Sequence, residues 1–342
     1  MASVPLNIDD SGCSLEISVD ETPASSCRAR GARAGGKQNE AALFCSEFLS
    51  VDIDQIVSDL NEKGYYAFPS AISQDTLKTI ERDATQSRIG LNENSISGVY
   101  SEKQYYLTNL LAVSKTFYNF ATSSFVFKIC ERYLGNEFRL KALRYYETYG
   151  GHHMQWHTDN KTDKAFAHIP GIIFIFYVSD VEDGEFQYIE GSHLWSGEKA
   201  YSNYTDEFIE ANYESAIRSF KMPSGSLLIY NTYGIHRARP VNNKTFVRKS
   251  VFFQVDSEIE RSEPIIVNTE FMTRLNDQIS MFLGFGKASD YEVFPKTTLN
   301  SLTLDKKMIR VMTRYVLYRL SRGAFSRLPQ SVRPAVRRLI KR

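Results

Sequence analysis

The 342-residue chain is short of several things, and each shortage closes off a class of protein. It has only four cysteines, and three of them, Cys13, Cys27 and Cys45, fall in the first 45 residues. That spacing makes neither a disulfide framework nor a CxxC metal knuckle, and it fits a reducing compartment. The longest apolar run, Gly171 to Val178, is strand-sized and far short of the ~20 residues that a membrane-spanning helix needs. No apolar block of the secretory kind stands at the amino terminus, so a cytoplasmic location is expected. There is no HExxH zinc-hydrolase motif and no G-x-S-x-G nucleophile elbow. Net charge is also scarce: +1 over the whole chain, which excludes a uniformly basic, nucleic-acid-seeking surface.

What is present is ordinary in bulk and uneven in distribution. Hydrophobic residues make up 42% and charged residues 24%, as in a soluble globular protein long enough to bury a large core. From Ser301 to Arg342, however, 12 Lys or Arg stand against one acidic residue, Asp305. That segment carries +11, so a total of +1 leaves −10 on the other 300 residues. The near-neutral mean is an acidic body with a basic tail.

Residues 1–45 mix Ser, Ala, Gly, Asp and Arg without apolar period and are expected to form a disordered leader. Ile53, Ile56, Val57 and Leu60 then recur at helical spacing up to Gly64, and Tyr65 to Phe68 reads as a short strand. Ser73 is a candidate N-cap for a helix to about Ser87, and further helices are expected at Ser114 to Thr122 and Ser123 to Leu134. Beyond Asn136 the chain becomes strand-rich. The runs Phe138–Thr148, Gln155–Asp159, Gly171–Val178, Glu185–Ile189, Ser226–Asn231 and Thr245–Val255 are short, aromatic and β-branched. The pattern predicts a mainly β fold with flanking helices, a sandwich or jelly roll. Residues 46–290 are expected to form this domain, with 196–220 as a helical insertion (Phe208, Ile209, Tyr213, Ile217) and 300–342 as a basic helical tail.

All six histidines lie between positions 152 and 236. In the run Trp156-His157-Thr158-Asp159, a strand would put an imidazole and a carboxylate on one face, because residues two apart share a face. One more imidazole from a distant strand, such as His236, would complete a two-histidine, one-carboxylate set, which holds non-haem Fe(II) and leaves positions open for other ligands. Twelve residues beyond His236, Arg248 and Ser250 form an R-x-S pair on one strand face. An inward Arg needs an anion, and its planar fork suits a carboxylate. Arg237 and Arg239 compete for that role but better suit a loop facing substrate or solvent. Gln155 and Tyr146 are candidate contacts to a cosubstrate, or else core. His152 and His153 read as loop residues, His168 as structural, and His193 as fixing a turn.

Taken in order, His157-Thr158-Asp159, the stretch Gly171-IIFIFYVSDVEDGEFQYIEGSH, the run Met222-PSGSLLIYNTYGIH and Arg248-Lys-Ser250 resemble the phytanoyl-CoA dioxygenase-like family of Fe(II)/2-oxoglutarate-dependent oxygenases. The resemblance spans roughly residues 50 to 256. It implies a double-stranded β-helix (jelly-roll, cupin-like) core with His157, Asp159 and His236 as iron ligands. It also implies Arg248, with Ser250, as the anchor for 2-oxoglutarate, dioxygen as co-reactant and hydroxylation of a small-molecule substrate. In related halogenases a small residue replaces the carboxylate, so Asp159 argues against halogenation. A non-catalytic binding module of the same fold and an iron oxygenase independent of 2-oxoglutarate are the alternatives. For the tail, two readings stand side by side: a helix packed on the barrel, or contact with an anionic membrane or acidic partner.

Overall fold

The structure is a computed structural model that describes residues 40–91, 98–100, 104–151, 154–160, 169–195, 204–273, 275–289, 306–327, 329 and 332. The expected leader up to residue 39, His152, His153, His168, Tyr201 and the rest of 196–203 therefore lie outside the described residues.

The helical section forms where local chemistry caps it. The Asp52 carboxylate accepts from Asp54 N at 3.0 Å and opens helix Ile53–Glu62, which buries Ile56 and Leu60. The Ser73 hydroxyl accepts from Thr76 N at the head of helix Gln74–Leu91. Ser114 and Ser123 do the same for helices Lys115–Ala121 and Ser124–Leu134, accepting from Phe117 N and Val126 N.

Among the described residues ten strands occur, in chain order: β1 (Tyr65–Phe68), β2 (Gly98–Tyr100), β3 (Gln104–Leu107), β4 (Arg139–Thr148), β5 (Gly171–Tyr177), β6 (Phe186–Ile189), β7 (Ile217–Phe220), β8 (Leu227–Asn231), β9 (His236–Ala238) and β10 (Arg248–Asp256). Seven form one antiparallel sheet in the order β1-β8-β5-β10-β4-β3-β2. The other three form a small sheet, β7-β6-β9. Beside β9, His157 forms a single antiparallel bridge with His236, which supplies a fourth rung. Four central strands of the large sheet facing this smaller one make a double-stranded β-helix, the cupin-like jelly roll expected from the sequence.

The period of two sorts the large sheet into a dry face and a working face. Ile172, Phe174 and Phe176 of β5, Leu227 and Ile229 of β8, and Val251 and Phe253 of β10 pack against the amino-terminal helices. Their alternates point between the sheets: Ile173 and Tyr177, Leu228 and Tyr230, and, lining the cavity there, Arg248, Ser250 and Phe252.

Four expectations are corrected. The leader does not reach residue 45: residues 40–43 are helical, Phe44 bridges to Ile72, and Leu43 and Phe44 are buried in the core, because their apolar side chains pack against the amino-terminal helices. Gln155–Asp159 is no continuous strand. Only His157 bridges, because the N–H groups of Asp159 and Asn160 both turn to the carbonyl of Thr232 at 3.1 Å. Among its described residues the insertion is helical over Asp206–Tyr213 and, as a 3-10 turn, over Glu214–Ala216, but Ile217 belongs to β7, whose pairing with β6 satisfies backbone groups that helix could not offer to the sheet edge. Strands β2 and β3 extend the large sheet where no strand was expected. The tail is helical over Lys306–Arg327, and its described side chains are exposed.

Gly64, the stop of the first long helix, has φ +87, and a Cβ there would run into the hydroxyl of Tyr188 and Nδ1 of His193. Gly64→Ala is expected to cost about 3 kcal/mol, from the left-handed backbone and the overpacking together. Urea unfolding should show a lower midpoint at unchanged slope.

Candidate active site

The bridge sets the site. His157 N donates to His236 O and His236 N to His157 O, both at 2.9 Å, so two residues 79 positions apart are held backbone to backbone. Their rings lie 4.4 Å apart between centroids. Each ring is oriented by a carbonyl two residues earlier: His157 Nδ1 to Gln155 O at 2.8 Å and His236 Nδ1 to Gly234 O at 3.0 Å. With Nδ1–H donating, the lone pair of each imidazole sits on Nε2, the form a metal ligand needs. Asp159, turned in by the Thr232 carbonyl, brings Oδ2 to 3.2 Å from His236 Nε2. One ligand atom from each of His157, Asp159 and His236 lies within 4.8 Å of the others, the spacing of donors around one cation.

Electrostatics agree with that donor chemistry. Burial, and then the neighbouring His236, push His157 down to about 4, which keeps the imidazole neutral and its lone pair available to a metal. Burial pulls the Asp159 carboxyl up, but His236, His157 and a hydrogen bond donated by the Tyr230 hydroxyl at 3.1 Å outweigh it, and the group lies below its ordinary value.

The three residues open onto a cavity between the sheets, about 680 Å³ of empty space with the open solvent at its mouth included. Arg248 and Ser250 line it from β10, and Tyr146 from β4. Arg248 is buried and donates to Gly184 O and to Thr148 Oγ1 at 3.4 Å, yet no carboxylate pairs with it among the described residues. Its two rivals are already paired. Arg239 meets Glu185 at 3.2 Å. Arg237 is buried rather than facing substrate: it pairs with Asp206 of the insertion helix, donates to Gln187 Oε1 at 2.8 Å, and lies over the Trp156 ring at 4.4 Å. Burial lowers the pKa of Arg248, as expected of a guanidinium that lacks its counterion.

Gln155 is not brought to the site. Its side chain is exposed and only its carbonyl takes part, on His157. His193 donates Nε2–H to Asn61 O at 3.0 Å and ties a turn to the first helix. The described part of the insertion does not line the cavity; Tyr204, Phe208 and Tyr213 pack around Trp156, Ile209 and Ile235 behind it.

Sequence reading passed over Tyr230, although its place in β8 on the inward register six residues before His236 was a usable signal. It also missed a buried polar chain behind Asp159. Gln254 Nε2 donates to both oxygens of Asp256, at 3.1 and 3.0 Å, and to Asn160 Oδ1 at 3.3 Å, while Asn160 Nδ2 donates to Thr232 Oγ1 at 3.0 Å. The chain ties β10 to the loop that aims Asp159.

Comparison with known proteins follows from this geometry. The family model described as Phytanoyl-CoA dioxygenase (PhyH) matches residues 60–250. No curated protein matches the chain. Among solved structures, HygX from Streptomyces hygroscopicus with nickel and 2-oxoglutarate bound is similar at 16% identity over 59% of this chain and 85% of that one, with a TM-score of 0.46. The non-heme alpha ketoglutarate dependent carbocyclase SnoK from nogalamycin biosynthesis is similar at 14% identity over 61% and 85%, with a TM-score of 0.47. The corresponding epimerase SnoN is similar at 14% over 59% and 80%, with a TM-score of 0.45.

Burial raises Asp256 from 3.8 to about 6 against the opposing hydrogen bonds from Gln254. The folded protein therefore holds this proton where the unfolded chain has lost it. The resulting stabilisation is complete below about pH 3.8 and is lost as pH rises through about 6. Asp256→Asn should remove that dependence, so the stability difference between wild type and variant should shift by on the order of 3 kcal/mol between pH 4 and pH 7.5. Denaturant titrations at the two pH values measure it.

Proposed function

The chain belongs to the phytanoyl-CoA dioxygenase family, and on that premise we propose that it is an Fe(II)- and 2-oxoglutarate-dependent oxygenase that hydroxylates a small organic substrate. The observation that carries the reading is the joint placement, in one cavity, of the His157, Asp159 and His236 donor cluster and a buried Arg248 without a carboxylate partner. The catalytic unit of this reading is residues 46–290.

The donor set fits a first-row divalent metal: two neutral imidazoles and one carboxylate, converging from one bridge and one turn. Arg248 and Ser250 fit the distal carboxylate of 2-oxoglutarate, since a buried guanidinium and a hydroxyl two residues along the same strand face make a carboxylate clamp. When bound, the iron and 2-oxoglutarate supply the oxidising power: dioxygen and 2-oxoglutarate are consumed, succinate and carbon dioxide are released, and one oxygen atom passes to a C–H bond of the substrate.

The protein's own part is orientation and exclusion. Gln155 O and Gly234 O hold the two imidazole planes, and the Tyr230 hydroxyl holds the Asp159 carboxylate. Ile175, Phe186 and Phe252 give the cavity apolar walls that keep water from competing at the reacting centre. Tyr146, also in the wall, has its hydroxyl pushed up to about 12 by burial, so it stays protonated and able to donate to an anionic cosubstrate.

Under anaerobic conditions, Fe(II) plus 2-oxoglutarate should give a weak visible charge-transfer band with wild type and none with His157→Ala. Arg248→Ala should keep Fe(II) binding but raise the 2-oxoglutarate KM roughly 100-fold, the effect of removing one side of a buried charge pair. In air, substrate screening should find compounds that stimulate succinate release. Absence of both the band and succinate in the intact protein would overturn the oxygenase reading. Succinate release with unchanged 2-oxoglutarate KM in Arg248→Ala would move the anchor elsewhere.

A further inference from the structure

Helix Lys306–Arg327 lies outside the jelly roll and takes no part in the site. It carries seven Lys or Arg and no acidic residue. Large apolar and aromatic side chains stand exposed along it: Ile309, Tyr315, Val316, Leu317, Tyr318 and Leu320 range from 49% to 65% exposed. Ile309, Val316 and Leu320 share one side at spacings of seven and four residues, while Arg310 and Arg314 stand on the adjoining side in the same row as Leu317. A solvated surface helix has no use for such an apolar row, and a helix packed on the barrel would have buried it.

The complement of this surface must offer anionic groups and, beside them, an apolar medium. A nucleic acid supplies the first without the second, and an acidic protein supplies both only where it has a matching apolar groove, whereas any anionic lipid bilayer supplies both at the depth of one helix radius. No helix among the described residues is long and apolar enough to cross a membrane. The contact is therefore with the surface plane. The rest of the chain, at −6 once the helix's +7 is taken from the total of +1, is repelled by the same bilayer, so the helix is the described element whose charge best suits the approach.

We propose that helix Lys306–Arg327 is a membrane-surface anchor. Its Ile309, Val316 and Leu320 row enters the headgroup–acyl boundary of an anionic bilayer, and its arginines lie among the lipid phosphates. The inference is independent of the chemistry assigned to the cavity.

Full-length protein is mixed with vesicles of phosphatidylcholine alone or with phosphatidylglycerol at about one lipid in three, and bound protein is read by cosedimentation. Wild type should partition to the anionic vesicles only, and less as salt is raised, because the headgroup term is screened. Arg310→Glu with Arg314→Glu should weaken partition at least about 25-fold, two cations at roughly fivefold each. Val316→Asp with Leu320→Asp should also abolish it. Both pairs are at exposed positions, and unchanged thermal melting of the body would show that the fold is intact. No partition by wild type, or equal partition by either double variant, overturns the proposal. Loss on charge reversal but retention in Val316→Asp/Leu320→Asp also overturns it, in favour of a purely electrostatic contact with a polyanion, and competition by RNA or an acidic polypeptide would identify which.

Discussion

Everything at the candidate site hangs on one pair of backbone hydrogen bonds, those exchanged between His157 and His236. Among the described residues they form the one β-bridge of the His157 segment, and they bring a loop and a strand edge together without any side chain being asked to reach. Once the pair is made, the carbonyls two residues upstream, Gln155 O and Gly234 O, set the tilt of each imidazole. The Thr232 carbonyl then draws in Asp159 by its own N–H. The donor cluster is thus built from backbone geometry, which is rigid, and the side chains add little conformational freedom of their own.

A second constraint is the division of the large sheet into two faces. The dry face, packed with Phe174, Phe176, Phe253 and the helices, carries the stability. That surplus allows the inner face to hold groups that are expensive to bury: Arg248 without a carboxylate, Asp256 held up near 6, and the ligand set itself. Behind the site, the Arg237 ion pair with Asp206 and its stacking on Trp156 dock the insertion helix onto the strand that bears His236. The described part of the insertion is fastened to the His236 strand from the outer side, and it packs behind the site rather than roofing the cavity.

Much of this was legible in the chain. Capping by Ser73, Ser114 and Ser123, the run Gly171–Val178 and the inward alternation of Arg248 and Ser250 are local signals, decided within a few residues. The cluster was legible for another reason: histidines confined to one quarter of the chain, with an imidazole and a carboxylate two apart and the ordered motifs around them, mark it out. What went unread was non-local. Ile217 looks helical by spacing, and only the free edge of β6 makes it a strand. Gln155 shares a face with His157 in a regular strand, but no regular strand exists there, and its side chain faces solvent.

The sequence by itself determined the residue types, the order of elements and the charge split between body and tail, because these follow from composition and short-range period. The tertiary structure alone decided which groups meet. It gave Arg237 and Arg239 their own carboxylates and left Arg248 buried without one among the described residues, and it put Tyr230 and the Gln254–Asp256 chain behind Asp159. It also left the apolar row of the carboxyl-terminal helix uncovered. The physical reason is that pairing partners and burial depend on contacts between residues far apart in the chain, which no local pattern encodes.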